Sequence, residues 1–330
     1  MRRTTRVLTV LAAATAVTLA GCSSSGGRSA DQASTQGAGK ASTPTMTVSF
    51  ITHSPTGDTF WDIVRRGAEV AAAKDNVQLE YSGDVDPTRQ AQLIQAAIDK
   101  KVDAIAVTDP NTGALGPTIQ RIKQAGIPFV MLNAGEADAF RLGALGFFGQ
   151  SETDAGFAAG QRLAKDGAKH VLCVIHSQGQ TQLEARCDGI AKGLGTAGKV
   201  DRAYVKGEDP SDVSTKINAA LTQDPSLDWV VTLAATYALN AVQSLPAGST
   251  AKIATFDTNA ELVTAIKDGK VAWAIDQQPY LQGYLAVDSL WLYKTNGNTI
   301  GGGRPTATGP AFIDKSNVDA VAKFAANGTR

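Results

Sequence analysis

The segment Met46–Thr52 reads MTVSFIT, and the segment Phe60–Lys74 that follows it reads FWDIVRRGAEVAAAK. The first is a short apolar run with β-branched residues, which is typical of a buried strand. The second has the apolar spacing of an amphipathic helix. A strand followed closely by a helix is the repeating unit of a parallel α/β sheet. This pair of segments therefore predicts that the chain is built from parallel α/β units.

The same unit recurs along the rest of the chain. Further strands are predicted to begin near Val77, Ala104 and Phe129 in the first half, and near His170, Asp201, Trp229 and Lys252 in the second. The two sets are offset by roughly 124 residues, and this regularity indicates two similarly wound lobes. The predicted fold class is α/β, with two similar doubly wound parallel-sheet lobes joined by a multi-strand hinge.

Two lobes also suit the length, because 330 residues exceed one typical hydrophobic core. The segments 144–149 (ALGFFG) and 272–276 (AWAID) are predicted to cross between the lobes, and the glycine-rich stretch 296–303 is a candidate third crossing. The predicted N-terminal lobe is 46–150 plus 278–305, and the predicted C-terminal lobe is 151–277 plus 306–330.

The N-terminus reads as a targeting segment and not as part of the fold. Arg2, Arg3 and Arg6 precede a short apolar run that ends Leu19-Ala20-Gly21-Cys22. The run is short for a membrane span, and its end looks like the lipobox of bacterial lipoproteins. Residues 1–22 are therefore predicted to be a lipoprotein signal peptide with lipid attached at Cys22. The alternative is an ordinary secretory signal with an accidental cysteine.

Residues 23–45 are rich in serine, glycine, threonine, alanine and glutamine, and they include no aromatic or large aliphatic side chain. Such a segment cannot bury enough apolar area to offset the entropy of ordering, so it is predicted to be a disordered tether. Together with the lipid, it predicts an extracytoplasmic protein anchored to the outer face of the bacterial cytoplasmic membrane.

Cys173 and Cys187 are the two cysteines left after Cys22. An even pair in an exported protein favours a disulfide, and a strand-like run that precedes a helix brings the two within reach. Two buried free thiols are the alternative.

The composition excludes several classes of function. Lys+Arg and Asp+Glu number 31 each, so no basic field indicates a nucleic-acid partner. The three histidines lack metal-ligand spacing, and no Gly-x-Ser-x-Gly motif is present. The sequence predicts a protein that is not an enzyme and that has no cofactor, catalytic residue or metal site.

Polar residues follow nearly every predicted strand. In open parallel sheets, ligands bind beyond the carboxyl ends of the strands. Carboxylates and amides in this place suit a ligand rich in hydroxyl groups, and the rings of Phe60 and Trp61 suit the C–H face of a pyranose. Helix capping remains an alternative role for each Asp and Asn. His53 and His176 are candidates either for the cleft or for structural roles.

Seven stretches carry a resemblance to a known family, among them AIAVTDPNTGALGPTI at 104–119, QAGIPFVMLNAG at 124–135, EARCDGIAKGL at 184–194 and AIDQQPYLQGY at 274–284. From Met46 to about Phe312 the chain resembles the ribose- and galactose-binding family of periplasmic proteins. The resemblance implies an arginine, Arg186, that clamps sugar hydroxyls. The full set of implied binding positions is Phe60, Trp61, Asp109, Asn133, Gln150, Arg186, Asp257 and Gln277.

Two departures from the ribose-type pattern bear on the ligand. Asn133-Ala134 replaces an Asp-Arg pair, and Ala234-Ala235-Thr236 replaces an expected Asn-Asp pair. These changes disfavour ribose and favour a larger pyranose, a polyol or an inositol-like solute. Because Arg186 is the one cation expected in the cleft, the ligand is predicted to be neutral.

The resemblance implies a monomeric solute-binding lipoprotein of an ABC import system, which captures its ligand by hinge closure and delivers it to a permease and ATPase complex. A receptor of the same fold that signals to a membrane partner is the alternative. A DNA-binding regulator is disfavoured because a signal and tether stand where its DNA-binding head would be.

Overall fold

A computed structural model describes residues 40–55 and 57–330. The predicted signal peptide, the lipidation site at Cys22 and residues 23–39 of the predicted tether lie outside the described residues. None of the described helices combines the length and the apolar character needed to cross a membrane.

The first lobe is built on a six-stranded sheet with the order β11-β5-β4-β3-β1-β2. Its strands are β1 (Met46–Thr52), β2 (Val77–Gly83), β3 (Ala104–Val107), β4 (Phe129–Leu132), β5 (Phe147–Gly149) and β11 (Thr306–Ala307). Its helices are α1 (Thr59–Asp75), α2 (Pro87–Lys100), α3 (Thr112–Gln124), α4 (Ala139–Leu142) and α10 (Pro279–Asn296). Every strand pair in this sheet is parallel.

The second lobe has a six-stranded sheet with the order β12-β10-β9-β8-β6-β7. Its strands are β6 (His170–Ile175), β7 (Lys199–Tyr204), β8 (Trp229–Thr232), β9 (Lys252–Phe256), β10 (Trp273–Asp276) and β12 (Ala311–Asp314). Its helices are α5 (Glu152–Lys165), α6 (Thr181–Leu194), α7 (Pro210–Gln223), α8 (Ala235–Ser244), α9 (Ala260–Lys267) and α11 (Val318–Ala326). Only β12, in the part of the chain described, runs antiparallel to its neighbour.

Local sequence accounts for where the helices begin. Asp86 accepts hydrogen bonds from the backbone N–H groups of Thr88 and Arg89, with Pro87 in the first helical turn. Asp209 caps α7 in the same way ahead of Pro210. An aspartate cap satisfies N–H groups that have no partner inside the helix, and proline loses no hydrogen bond at that position.

Each sheet is buried on both faces. Phe50 of β1 packs with α1 and α10 on one face of the first sheet, and Ile105 of β3 packs with α2 and α3 on the other. In the second sheet, Cys173 faces α5 and α6, whereas Leu172 faces α7, α8 and α9. This is the doubly wound arrangement of two parallel-sheet lobes that the sequence predicts, and the fold class is confirmed.

The chain crosses between the lobes after β5, after β10 and after β11. The first two crossings follow the predicted segments, but the third does not lie in 296–303. Thr306–Ala307, assigned from sequence to the second lobe, pairs with β5 in the first sheet, so the third crossing comes at 308–310. The three crossings touch, because Thr308 N–H donates to the carbonyl of Gly149 at 2.8 Å and Gln278 donates to the carbonyl of Thr308.

Cys173 and Cys187 are joined in a disulfide that ties β6 to α6, with 6.0 Å between their Cα atoms. Both side chains are fully buried in the core between the sheet and α5 and α6. The bond closes a loop of 14 residues within the second lobe.

Candidate ligand-binding site

The cleft between the lobes contains a cavity of about 530 Å³. It lies beyond the carboxyl ends of the parallel strands, where such folds bind small ligands. Six of the eight binding positions implied by the resemblance line this cavity, namely Phe60, Trp61, Asn133, Arg186, Asp257 and Gln277. Whether they contact a ligand stays a prediction.

The first lobe supplies an aromatic wall at the start of α1. The rings of Phe60 and Trp61 meet edge to face at 5.1 Å, and Trp61 meets His53 in the same way at 4.8 Å. Asp58 caps α1 by accepting from the backbone N–H of Phe60 at 2.8 Å, which orients the wall. Trp61 is only 7% exposed, so it forms part of the core as well as part of the cleft.

A chain of side-chain amides crosses the base of the cleft. Asn133 of the first lobe donates to Oε1 of Gln277 at 3.2 Å, and Gln277 donates to Oδ1 of Asp257 at 2.7 Å. Gln282 also donates to Oε1 of Gln277 at 3.0 Å. Asn133 and Asp257 have φ values of 63° and 66°, a left-handed backbone that Asn and Asp tolerate better than most residues. Each of the two residues directly follows the end of a strand, where the chain turns.

Arg186 lies buried at the wall of the cavity in a bidentate ion pair. Its Nε and Nη2 donate to the two carboxylate oxygens of Glu152 at 2.5 Å and 2.8 Å, and Nη1 donates to the carbonyl of Leu233 at 2.8 Å. Its guanidinium carbon lies 4.7 Å from the centre of the Phe256 ring. Three of the five N–H donors of Arg186 are therefore engaged within the protein, and two remain.

The electrostatics of the cleft follow from burial. Burial lowers the pKa of His53 to about 3 and that of His176 to about 3, with Arg186 acting in the same direction. Both imidazoles are neutral near pH 7. Burial raises the pKa of Asp257 to about 7, although Arg186 and Gln277 oppose the shift. Glu152 raises the pKa of Arg186 above its usual value despite the burial of the guanidinium.

Residues that the sequence analysis did not single out complete the cavity. Gln182, in the first turn of α6, places its amide nitrogen 3.2 Å from Nε2 of His53, and its own Oε1 has no partner among the described residues. Tyr237 stacks on His176 with ring centres 4.3 Å apart. Asp58 was not predicted to line the cavity because its place in the sequence indicates a helix cap. It does cap α1, and it also lines the cavity. The polar run Ser177–Gln182 after β6 is the signal that could have revealed Gln182.

Asp109 and Gln150 are not among the residues that line the cavity, and their roles as binding positions stay predictions. Asp109 is fully buried within the first lobe beside Gly135. Its carboxylate oxygens have no hydrogen-bond partner among the described residues. Burial raises the pKa of Asp109 to about 6. Gln150 lies at the first crossing and donates to Oε2 of Glu152 at 3.0 Å. Its side chain therefore supports the ion pair with Arg186, while its own Oε1 has no hydrogen-bond partner among the described residues.

One group of potential metal ligands lies away from the cleft, at the amino ends of the second sheet. Nε2 of His170 is 2.7 Å from Asp201, and its Nδ1 is 3.6 Å from Asp224 and 2.7 Å from the Ser226 hydroxyl. Spacing along the chain did not predict this group. Both ring nitrogens already have hydrogen-bond partners in the protein.

Comparison with known proteins agrees with the fold. The periplasmic binding protein domain family matches residues 48–298. A carbohydrate transporter from Acidothermus cellulolyticus 11B, solved in complex with myo-inositol, is 56% identical with a TM-score of 0.85. The match covers 87% of this chain and all (100%) of that chain.

More distant relatives extend the comparison. The xylose/arabinose-binding protein XylF of Sulfolobus acidocaldarius is 26% identical over 294 residues, which are 83% of this chain and 72% of the relative. An ABC transporter solute-binding protein from Burkholderia graminis C4D1M, solved with D-arabinose, shares the fold with a TM-score of 0.74 at 21% identity, over 82% of this chain and 96% of that chain. These relatives are binding and transport proteins and not enzymes, and the chain belongs to the periplasmic binding protein domain family.

Proposed function

We propose that the protein is the solute receptor of an ABC import system, that it binds a neutral cyclic polyol such as myo-inositol in the interlobe cleft, and that it is held at the membrane by a lipid on Cys22. The observation that carries the ligand class is the 56% identical relative in complex with myo-inositol, aligned over 87% of this chain. The chemistry of the cavity supports the same class.

An inositol ring carries a hydroxyl on each carbon, so its binding requires donors and acceptors around the whole ring. The cleft offers acceptors at Asp257 and at Oε1 of Gln182, and donors from the two remaining N–H groups of Arg186. Buried polar groups without a partner cost free energy, so hydroxyl groups that pair with them add to affinity. Phe60 and Trp61 supply an apolar surface for the C–H groups of the ring.

Hinge closure is the proposed means of capture. Three crossings join the lobes, and the lobes touch across the cleft at Gln182 and His53 and again at Asn133 and Gln277. A ligand that contacts both lobes stabilises the closed arrangement by the difference between its affinities for the closed and open states.

Calorimetric titration of the purified chain with myo-inositol, D-glucose, D-galactose, D-xylose and D-ribose tests the ligand class. We expect one site per chain, with myo-inositol bound at least tenfold more tightly than D-ribose. Asp257→Asn keeps the side-chain shape and should weaken binding by about five- to 150-fold, the range for loss of a charged hydrogen-bond acceptor. If none of the five compounds binds, the proposed function is wrong.

A further inference from the structure

Helices α5 and α6 of the second lobe touch backbone to backbone. A Cβ atom added at Gly156 would lie 2.3 Å from the carbonyl oxygen of Arg186, and one added at Gly189 would lie 2.6 Å from the carbonyl oxygen of Thr153. Neither position admits a larger residue without movement of the helices. This close approach brings the first residue of α5, Glu152, directly against the middle of α6, where Arg186 lies.

Arg186 lines the cavity, and the carboxylate of Glu152 pairs with one edge of its guanidinium. Nε and Nη2 form the planar fork that binds a carboxylate or phosphate through two parallel hydrogen bonds. In this protein both of those donors go to Glu152, and the side chains of Glu152 and Arg186 are only 8% and 4% exposed. Gln150 donates to the same carboxylate and fixes its position.

Helix stability alone does not explain a buried glutamate at this position. An acidic residue in the first turn stabilises a helix through its dipole, but Asp154 supplies an exposed acid in the same turn of α5. Burying a second acid has a desolvation cost that an exposed one avoids. The ion pair with Arg186 therefore explains why a buried acid stands at Glu152. Arg186 itself lines the cavity.

We propose that Glu152 sets the charge selectivity of the cleft. By neutralising Arg186 and filling its fork, it restricts the ligand to uncharged polyols and sugars and excludes analogues that carry a carboxylate or a phosphate. This inference rests on the proposed function and adds to it a positioning residue that acts on the ligand through Arg186.

The other groups that face the cavity leave an anion without a counter-ion. His53 and His176 are neutral, and Asp257 is an acid itself. Lys216 lies at the rim, where it pairs with Asp212 at 3.0 Å, and Lys206 is exposed at the rim beside Glu208 and Asp209. An anionic ligand would therefore bring a second negative charge next to Glu152 in a site with low exposure to water.

The test compares one neutral and two anionic probes by calorimetry: myo-inositol, myo-inositol 1-phosphate and D-glucuronate. Wild-type protein should bind myo-inositol and bind either anion at least 100-fold more weakly. Glu152→Gln keeps the size of the side chain and removes the negative charge that neutralises Arg186. The ratio of anion affinity to myo-inositol affinity should then rise about tenfold or more for at least one anion.

Two controls separate selectivity from general damage. Glu261→Gln removes an exposed acid from α9 with the same change in net charge, and it should leave the ratio unchanged. The double variant Glu152→Gln/Arg186→Gln should lose the gain, because the gain requires the guanidinium.

Each outcome decides the inference. An unchanged ratio of anion affinity to myo-inositol affinity in folded Glu152→Gln overturns it. Wild-type protein that binds either anion with an affinity within tenfold of that for myo-inositol also overturns it. This second result does not depend on the folding of any variant. If wild-type protein binds no neutral polyol or sugar, the proposed function fails instead, so the two failures are distinguishable.

Discussion

The side-chain amide nitrogen of Gln182, in the second lobe, lies 3.2 Å from Nε2 of His53, in the first. Nδ1 of the same imidazole lies 2.8 Å from the hydroxyl of Thr108. Because His53 is neutral, an Nδ1–H tautomer leaves Nε2 as the acceptor for the Gln182 amide. This hydrogen bond spans the cleft, so it exists only while the lobes are together.

Gln182→Ala removes that bond and should shift the protein toward the open arrangement. We expect ligand affinity to fall by about two- to tenfold, the effect of one neutral hydrogen bond, mainly through faster dissociation. Stopped-flow tryptophan fluorescence, with Trp61 as the reporter in the cleft, measures the dissociation rate of the ligand. Gln92→Ala, on the exposed face of α2, is the matched control. Equal dissociation rates for Gln182→Ala and wild type would show that the bond does not contribute to closure.

The part of the fold set by hydrophobic periodicity could be predicted from the sequence. Each of the eight strands predicted from the pattern is present. Short apolar runs between helices, such as Ala104–Val107, are typical of buried strands. The third crossing was misplaced because glycines at 301–303 indicate a turn without indicating which lobe it belongs to. Thr306–Ala307 is too short a strand for periodicity to detect.

The candidate site was predictable to the extent that strand ends define it. Asn133, Asp257 and Gln277 line the cavity directly after β4, β9 and β10, because parallel strands of one sheet end at the same edge. Asp109 and Gln150 also follow strands, but the direction of a side chain after a strand depends on the loop, which a single sequence does not reveal. Glu152 meets Arg186 only through the packing of α5 on α6, a contact between residues distant in the chain that strand ends do not predict.

Ligand affinity should depend on pH through Asp257. If ligand hydroxyls donate to this carboxylate, only its ionised form binds well, and with a pKa of about 7 the affinity should rise about tenfold from pH 6 to pH 8. His53 and His176, with pKa values of about 3, do not titrate in this range. Calorimetry of wild type and Asp257→Asn at the two pH values checks this, and the variant should show a flat profile. A pH-independent wild type would contradict the role given to Asp257.

The same group has an opposite effect on the stability of the empty protein. The unfolded carboxyl loses its proton near the ordinary value of 3.8, whereas the folded one keeps it until about pH 7. Between these values the folded state holds the extra proton, so the contribution of Asp257 to stability falls as pH rises. Differential melting of wild type minus Asp257→Asn, without ligand, should show this decline between pH 4 and pH 7, and a constant difference would rule it out.

The disulfide should stabilise the second lobe. Closing a loop of 14 residues is worth about 3 kcal/mol by the chain-entropy estimate. The double variant Cys173→Ala/Cys187→Ala should therefore unfold at lower denaturant concentration, and wild type under reducing conditions should approach it. Mass spectrometry of non-reduced peptides from exported protein gives an independent check. Two freely alkylated thiols there would refute the bond.

The lipid anchor is tested at Cys22. Cys22→Ala should leave the melting temperature of the binding domain unchanged, because the residue precedes the predicted tether, and should release the protein from membranes. Labelled fatty acid should enter wild type and not the variant. A variant that stays with the membrane fraction, beside a wild type that takes up no label, would contradict the anchor.

The central claim is that one neutral cyclic polyol binds between the lobes, and a crystal structure of the protein grown with myo-inositol tests it most directly. We predict a single ring in the interlobe cavity, within hydrogen-bonding distance of both Asp257 and Arg186, with its C–H face toward Phe60 and Trp61. Glu152 should remain paired with Arg186. A cleft without the ring at saturating myo-inositol, or a ring bound outside the cleft, would contradict the account.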